Sequence, residues 1–145
     1  GGTVVMSQDI EKDANFTFNR SWVEYRDGFY HGKNNIWAGL EVINLLTTRR
    51  FHNKFQISAI IFDPIAVIKQ KKFLRTTFTG FKVDHENTQF LMTYDFIEIS
   101  TEYHLGEMLR TLNNSRFSTY DRDNDHMAIN CAMKYGGGWW YNNAG

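Results

Sequence analysis

The segment Asp121-Arg122-Asp123-Asn124-Asp125 sets three carboxylates at alternate positions. Calcium takes about six to eight oxygens at roughly 2.3–2.6 Å, and a short non-helical loop can supply them as carboxylates, backbone carbonyls and water. An EF-hand frame fails here. Begun at Asp121, it puts His126 where the sharp-turn glycine belongs and Ala132 where the bidentate glutamate belongs; begun at Asp123, it puts Ala128 and Lys134 there. Spacing alone leaves a solvated turn open as well, since Asp and Asn favour turns. Transition metals suit the chain less, because its histidines are scattered and Cys131 is its one cysteine. His126 lies inside the loop, where its protonation would weaken a bound cation at low pH.

Within ten residues follows Tyr135-Gly136-Gly137-Gly138-Trp139-Trp140-Tyr141-Asn142-Asn143. The glycines let the backbone take positive φ and approach a neighbour closely. Adjacent tryptophans on an extended chain face opposite sides, so one can enter a pocket while the other enters the core. A site walled by Tyr135 and a backbone turn fits the usual make-up of binding pockets, apolar with a few placed polar groups. Catalysis finds little support: there is no nucleophile elbow or phosphate loop. Alternate Asp residues on a turn suit a metal better than glycosidase acid–base geometry.

The elements that must hold these loops come from a chain of 145 residues, 42% hydrophobic and 22% charged, which is a globular composition for one domain. Aromatics reach 16%, enough for a core and for a recognition surface. The formal net charge is zero, which argues against nucleic acid or an anionic membrane as partner. No apolar run approaches the roughly 18 residues of a membrane span. A lone cysteine suggests a reduced compartment or a thiol partner outside the chain. Three N-glycosylation sequons (Asn15-Phe16-Thr17, Asn19-Arg20-Ser21 and Asn113-Asn114-Ser115) point the other way, and composition alone leaves the compartment open.

Thr3 to Met6 reads as a short strand. Asn19 to Arg26 reads as a helix with Trp22 and Tyr25 on one face, ended by Asp27-Gly28. Asn34-Asn35 makes a turn. Glu41 to Thr47 is a second helix with Val42, Leu45 and Leu46 on its inner side. Phe55 to Phe62, Lys71 to Phe81 and Gln89 to Phe96 carry strand patterns, with breaks at Asp63-Pro64 and Asp84 to Asn87. The Lys69 to Lys72 run reads as a solvated turn. Short connections imply antiparallel sheet. From Asn113 onward periodicity disappears, and function is sought there. The expected class is α+β.

Taken together, Phe117-Ser118-Thr119-Tyr120-Asp121-Arg122-Asp123-Asn124-Asp125, Asn130-Cys131-Ala132, Tyr135 and Gly137-Gly138-Trp139-Trp140-Tyr141-Asn142 resemble the signature of the fibrinogen-related domain. Earlier positions agree: Gly1-Gly2-Thr3-Val4-Val5, Asn19-Arg20-Ser21-Trp22 with Tyr25 and Gly28-Phe29, and Trp37-Ala38-Gly39-Leu40-Glu41. The resemblance runs from end to end. It implies a central antiparallel sheet with short helices over residues 1–112 and a calcium and ligand-binding loop region over 113–145. It implies Ca2+ held by the carboxylates of Asp123 and Asp125 and the carbonyls of Met127 and Ile129, with Asp121 behind them. It also implies an acetyl-binding pocket beside that loop, involving Tyr135, Asn143 and Ala144.

Several family features are missing. The family pairs the cysteine matching Cys131 with one at the position of Ala144, so that disulfide cannot form here. The pocket histidine and aromatics further on, the C-terminal strand that returns to the sheet and the N-terminal cysteine pair are also missing. The resemblance therefore implies an incomplete domain with an unpaired sheet edge. The leading expectation is a secreted glycan-binding lectin of the innate-immune type, oligomeric through segments outside this chain. The alternatives are a ligand for a cell-surface protein, of angiopoietin or tenascin type, and a degenerate member without binding.

Overall fold

The computed structural model describes residues 2–9, 14–49, 53–62, 71–99 and 112–142. Ser21 opens helix α1 (Trp22–Asp27): its hydroxyl accepts from the Glu24 amide and the Glu24 carboxylate accepts from the Ser21 amide. This reciprocal cap satisfies two otherwise orphaned donors and contributes about 1 kcal/mol. Gly28, at φ 100°, ends the helix, and a side chain there would strike the Ala38 carbonyl at 2.7 Å. Trp22 and Tyr25 are buried, as their spacing predicts.

A first antiparallel sheet, in the order β1-β3-β2, joins Met6–Ser7, Asn35–Trp37 and Phe29–His31. The predicted first strand thus forms later than Thr3, where Met6 pairs Trp37 and Ser7 pairs Ile36. A second antiparallel sheet runs β4-β5-β8, from Lys54–Phe62, Lys71–Thr79 and Phe96–Ile99. Lys71 and Lys72 pair with Phe62 and Ile61, so half of the expected lysine turn is strand. Asp63-Pro64 and residues 69–70 lie outside the described residues. β6 (Lys82–Val83) and β7 (Met92–Thr93) form a small third pair.

Two expected strands are broken by local chemistry. Lys71 to Phe81 stops at Thr79 because Gly80 turns at φ 68°, against the Asp95 carboxylate. Gln89 to Phe96 is no single strand either. Gln89 and Phe90 are left-handed, and the Asn113 carboxamide, bonded to both Tyr94 N–H and Tyr94 C=O, holds the step between β7 and β8.

Helix α2 (Leu40–Thr48) corrects another expectation. Its buried face is Leu40, Ile43 and Asn44, while Val42, Leu45 and Leu46 are 40–46% exposed. The physical reason is polar. Asn44 Nδ2 donates to the Val83 carbonyl and Thr47 Oγ1 accepts from the Val83 amide, so the side that joins β6 is the side that turns inward.

The core is aromatic. Phe117 packs edge-on to Trp140 at 5.0 Å and lies 5.2 Å from Tyr25; Tyr25 meets Trp37 at 5.3 Å, and Phe81 reaches Trp140 at 6.2 Å. These contacts weld the tail of the chain to its beginning and to the sheet region. The three buried indoles use their donors: Trp37 on the Tyr25 carbonyl, Trp140 on the Phe90 carbonyl, Trp22 on Glu86. Buried indoles need such partners.

Candidate functional site

The acidic loop begins on a rigid base. Ser118 and Trp139 exchange backbone hydrogen bonds of 3.0 and 3.2 Å, and Thr119 and Arg122 close a tight turn in both directions. Ser118 and Thr119 are fully buried, so the loop springs directly from the core. Asn124 then folds back, donating from its backbone to Ser118 Oγ and from its side chain to the Phe117 carbonyl. Asn130 closes the far end: its carboxamide donates to the Tyr120 carbonyl and accepts from the Met133 amide.

That last bond caps a helix absent from the expected elements, α3 (Cys131–Tyr135), which ends at Gly136 in the left-handed conformation. The signal was in plain sight as Asn130 before the segment and glycine after it. Five residues show no usable periodicity, and this is why the segment reads as loop.

The acidic side chains divide by role. Asp121 Oδ1 accepts from the Trp22 amide at 2.9 Å and from Thr119 Oγ1 at 2.6 Å, tying the loop to the first turn of α1. Burial acts against its charge, but those bonds hold the carboxyl below its usual range. The Arg122 guanidinium lies 4.8 Å over the Trp22 ring. Asp121 is a structural tie.

Asp123 and Asp125 form the other group. The Asp125 amide donates to Asp123 Oδ1, the Met127 amide to Asp125 Oδ1, and the Cys131 amide to Asp125 Oδ2. Burial and the neighbouring Asp125 carboxyl raise the pKa of Asp123. Asp125 is lowered: burial opposes its charge, and the Cys131 and Met127 amides outweigh it. Two carboxylates in contact repel unless a shared proton or a cation sits between them. Neither pairs with Lys or Arg among the described residues.

The donor set fits a hard cation. The Asp125 amide joins Asp125 to Asp123, the Met127 amide bonds Asp125 Oδ1, and the Ile129 carbonyl lies 4.0 Å from Cys131 Sγ. Among the described residues no three His, Cys, Asp or Glu side chains gather as ligands, so a cation here would rely on two carboxylates, carbonyls and water. His126 is exposed beside them. Cys131 is a free, fully buried thiol, pushed up to about 11 by burial and then by Asp125.

Beside the loop opens a cavity of about 740 Å³. Tyr135, Gly136–Gly138 and Trp139 line it, together with Phe18, Tyr25 and Trp37, and with Met6–Asp9 and Ile57–Ala59. The two tryptophans part as predicted: Trp139 lines the cavity while Trp140 is 1% exposed in the core. Tyr135 is 54% exposed and stacks on Tyr141, whose hydroxyl donates to the Gly137 carbonyl. Tyr25 donates to the Phe18 carbonyl and accepts from the Gly138 amide, pinning the glycine wall. The β1, β4 and Phe18 contributions come from residues far apart in sequence, which spacing cannot bring together. Asn143 and Ala144 lie outside the described residues.

Known proteins share the fold. The family described as fibrinogen beta and gamma chains, C-terminal globular domain, matches residues 1–145. The chain is 31% identical over 147 residues to the fibrinogen alpha chain of Homo sapiens, covering 99% of this chain and 16% of that protein. It is 29% identical to ryncolin-4 of Cerberus rynchops, covering 97% of this chain and 37% of that protein. Among solved structures, the fibrinogen-like globe domain of human ANGPTL6 superimposes with a TM-score of 0.74 at 26% identity, covering 95% of this chain and 55% of that one. Lamprey fibrin D-dimer, solved with the peptide ligand Gly-His-Arg-Pro-amide, gives a TM-score of 0.67 at 25% identity, covering 90% and 42%. The chain therefore spans well under half of these curated relatives and about half of the solved globe domain. With the whole sequence matched and the same α+β fold observed, the chain belongs to the fibrinogen C-terminal globular domain family.

Proposed function

We propose that this is an extracellular recognition domain that performs no catalysis, takes up Ca2+ in the loop from Asp123 to Ile129, and binds a glycan, with an acetyl group as its anchor, in the adjoining cavity. The observation that carries this reading is the link between the two. Asp125 accepts the Cys131 amide that starts α3, and α3 runs directly into the Tyr135–Gly138 wall. A cation on Asp125 would thereby steady the wall a ligand meets. Tyr135 and half-buried Trp139 give the cavity an aromatic lining, and the glycine wall adds backbone donors and acceptors, as sugar recognition requires. Family membership and the relationship to ryncolin-4 support secretion. Among the described residues no helix is long and apolar enough to cross a membrane.

A second reading is a protein ligand, supported by the likeness to the globe domain of ANGPTL6 and to fibrin D-dimer complexed with a peptide. Calorimetric titration of Ca2+ into the chain and into the Asp123→Ala, Asp125→Ala double variant tests the metal site. Saturable binding lost in the variant is expected, and no binding by the unaltered chain would overturn it. A glycan array with and without Ca2+ then separates the readings: calcium-dependent retention of acetylated sugars is expected, and a blank array favours the protein ligand.

A further inference from the structure

The three sequons are not equivalent in the folded chain. In the segment 15–19 the side chains alternate. Phe16 is buried, meeting Phe29 at 6.0 Å and Phe18 edge-on at 4.9 Å, and Phe18 packs on the core and lines the cavity. Asn15, Thr17 and Asn19 are exposed. With Phe16 and Phe18 anchored inward, both asparagines face solvent. The segment is also fixed. Arg20 Nε donates to the Thr17 carbonyl, its guanidinium stacks 4.7 Å over Phe29, and it pairs with Glu24 at 2.9 Å. Asn113 differs. It is half-buried, its Nδ2 donates to the Tyr94 carbonyl and its Oδ1 accepts from the Tyr94 amide. Ser115, the hydroxyl of that sequon, is 1% exposed.

We propose that N-glycan attachment belongs to the segment 15–19, at Asn15 and Asn19, and not to Asn113. The reaction joins an asparagine Nδ2, which gives up one proton, to C1 of an oligosaccharide carried on a lipid pyrophosphate, which leaves with the bonding pair of the broken C–O bond. The fold accepts the product at 15 and 19 without displacing a core group. At 113 a glycan would have to pass where Nδ2 meets Tyr94, and the step between β7 and β8 would be lost. Because Phe18 lies between the acceptors and lines the cavity, a glycan here stands at the cavity rim.

The inference rests on the extracellular reading, so the test fuses a heterologous secretion signal to the full chain in a eukaryotic host. Secreted chain is treated with peptide-N-glycosidase and compared by mass with the Asn15→Gln, Asn19→Gln and double variants. Glycopeptide mass spectrometry of the unaltered chain identifies the occupied positions. A mass loss on treatment that is absent in the double variant, with residue 113 bare, is the expected result. An unmodified secreted chain, or a glycan found at Asn113, overturns the assignment. Failure of the extracellular reading looks different: chain purified from its own cells is bare while the secretion-directed chain is glycosylated.

Discussion

Replacing Asp121 by alanine separates two roles that share one acidic run. Asp121 Oδ1 is the acceptor for the Trp22 amide and for the hydroxyl of Thr119, and both residues are essentially buried, at 1% and 0% exposure. Loss of an acceptor at a helix start costs about 1–2 kcal/mol. A buried hydroxyl left without its partner adds about 1–2 kcal/mol. The sum is roughly 2–4 kcal/mol, and an unfolding entropy of about 0.3 kcal/mol/K for a chain of this length converts it to a Tm lower by roughly 6–13 °C. Asp121→Asn, which keeps one carbonyl oxygen for these donors, loses less. Thermal unfolding by circular dichroism reads the stability, and Ca2+ calorimetry well below the transition reads the metal. Calcium affinity is expected to change little in either variant. An Asp121→Ala chain that unfolds at the unaltered temperature but no longer binds Ca2+ would show that Asp121 is a ligand, and the division of roles would be wrong.

Other outcomes follow from single contacts. Burial pushes the Tyr25 phenol up to about 12, against the pull of the Gly138 amide, while the unfolded group titrates near 10. Its contribution is therefore whole below pH 10 and fades as pH rises toward 12, by about 2 kcal/mol. Urea unfolding at pH 9 to 11.5 should show a shallower decline for Tyr25→Phe, and parallel curves would refute this. Gly138→Ala would set a Cβ 2.7 Å from the Tyr25 ring and 2.9 Å from that of Phe117, costing about 1–3 kcal/mol, whereas Gly136→Ala meets no atom within 4 Å and costs about 1 kcal/mol of left-handed strain. Equal unfolding midpoints for the two would deny the close packing. With its thiol pushed up to about 11, Cys131 should resist maleimide at pH 8 in the native chain and react fully in denaturant. Rapid native labelling would mean that α3 opens readily.

Why some of this was legible and some was not is a matter of which forces act along the chain and which act across it. The α1 helix, its end at Gly28, the antiparallel pairing of β4 with β5 and the parting of Trp139 from Trp140 all follow from local spacing, and all are found. The inner face of α2 does not follow. Hydrophobicity puts Val42, Leu45 and Leu46 inside, but the Val83 backbone needs partners, and Asn44 and Thr47 supply them from the other face. An unsatisfied buried carbonyl or amide costs about as much as one apolar side chain gains, so the helix turns inward the side on which Asn44 joins Leu40 and Ile43. The acidic run shows the same limit at the site. Three alternating carboxylates look equivalent in sequence, yet Asp121 is claimed by Trp22, 99 residues away, while Asp125 faces amides within six residues of itself. Only the pair whose described partners are local stands together in one loop, where the proposed cation would meet two carboxylates while the third is held elsewhere.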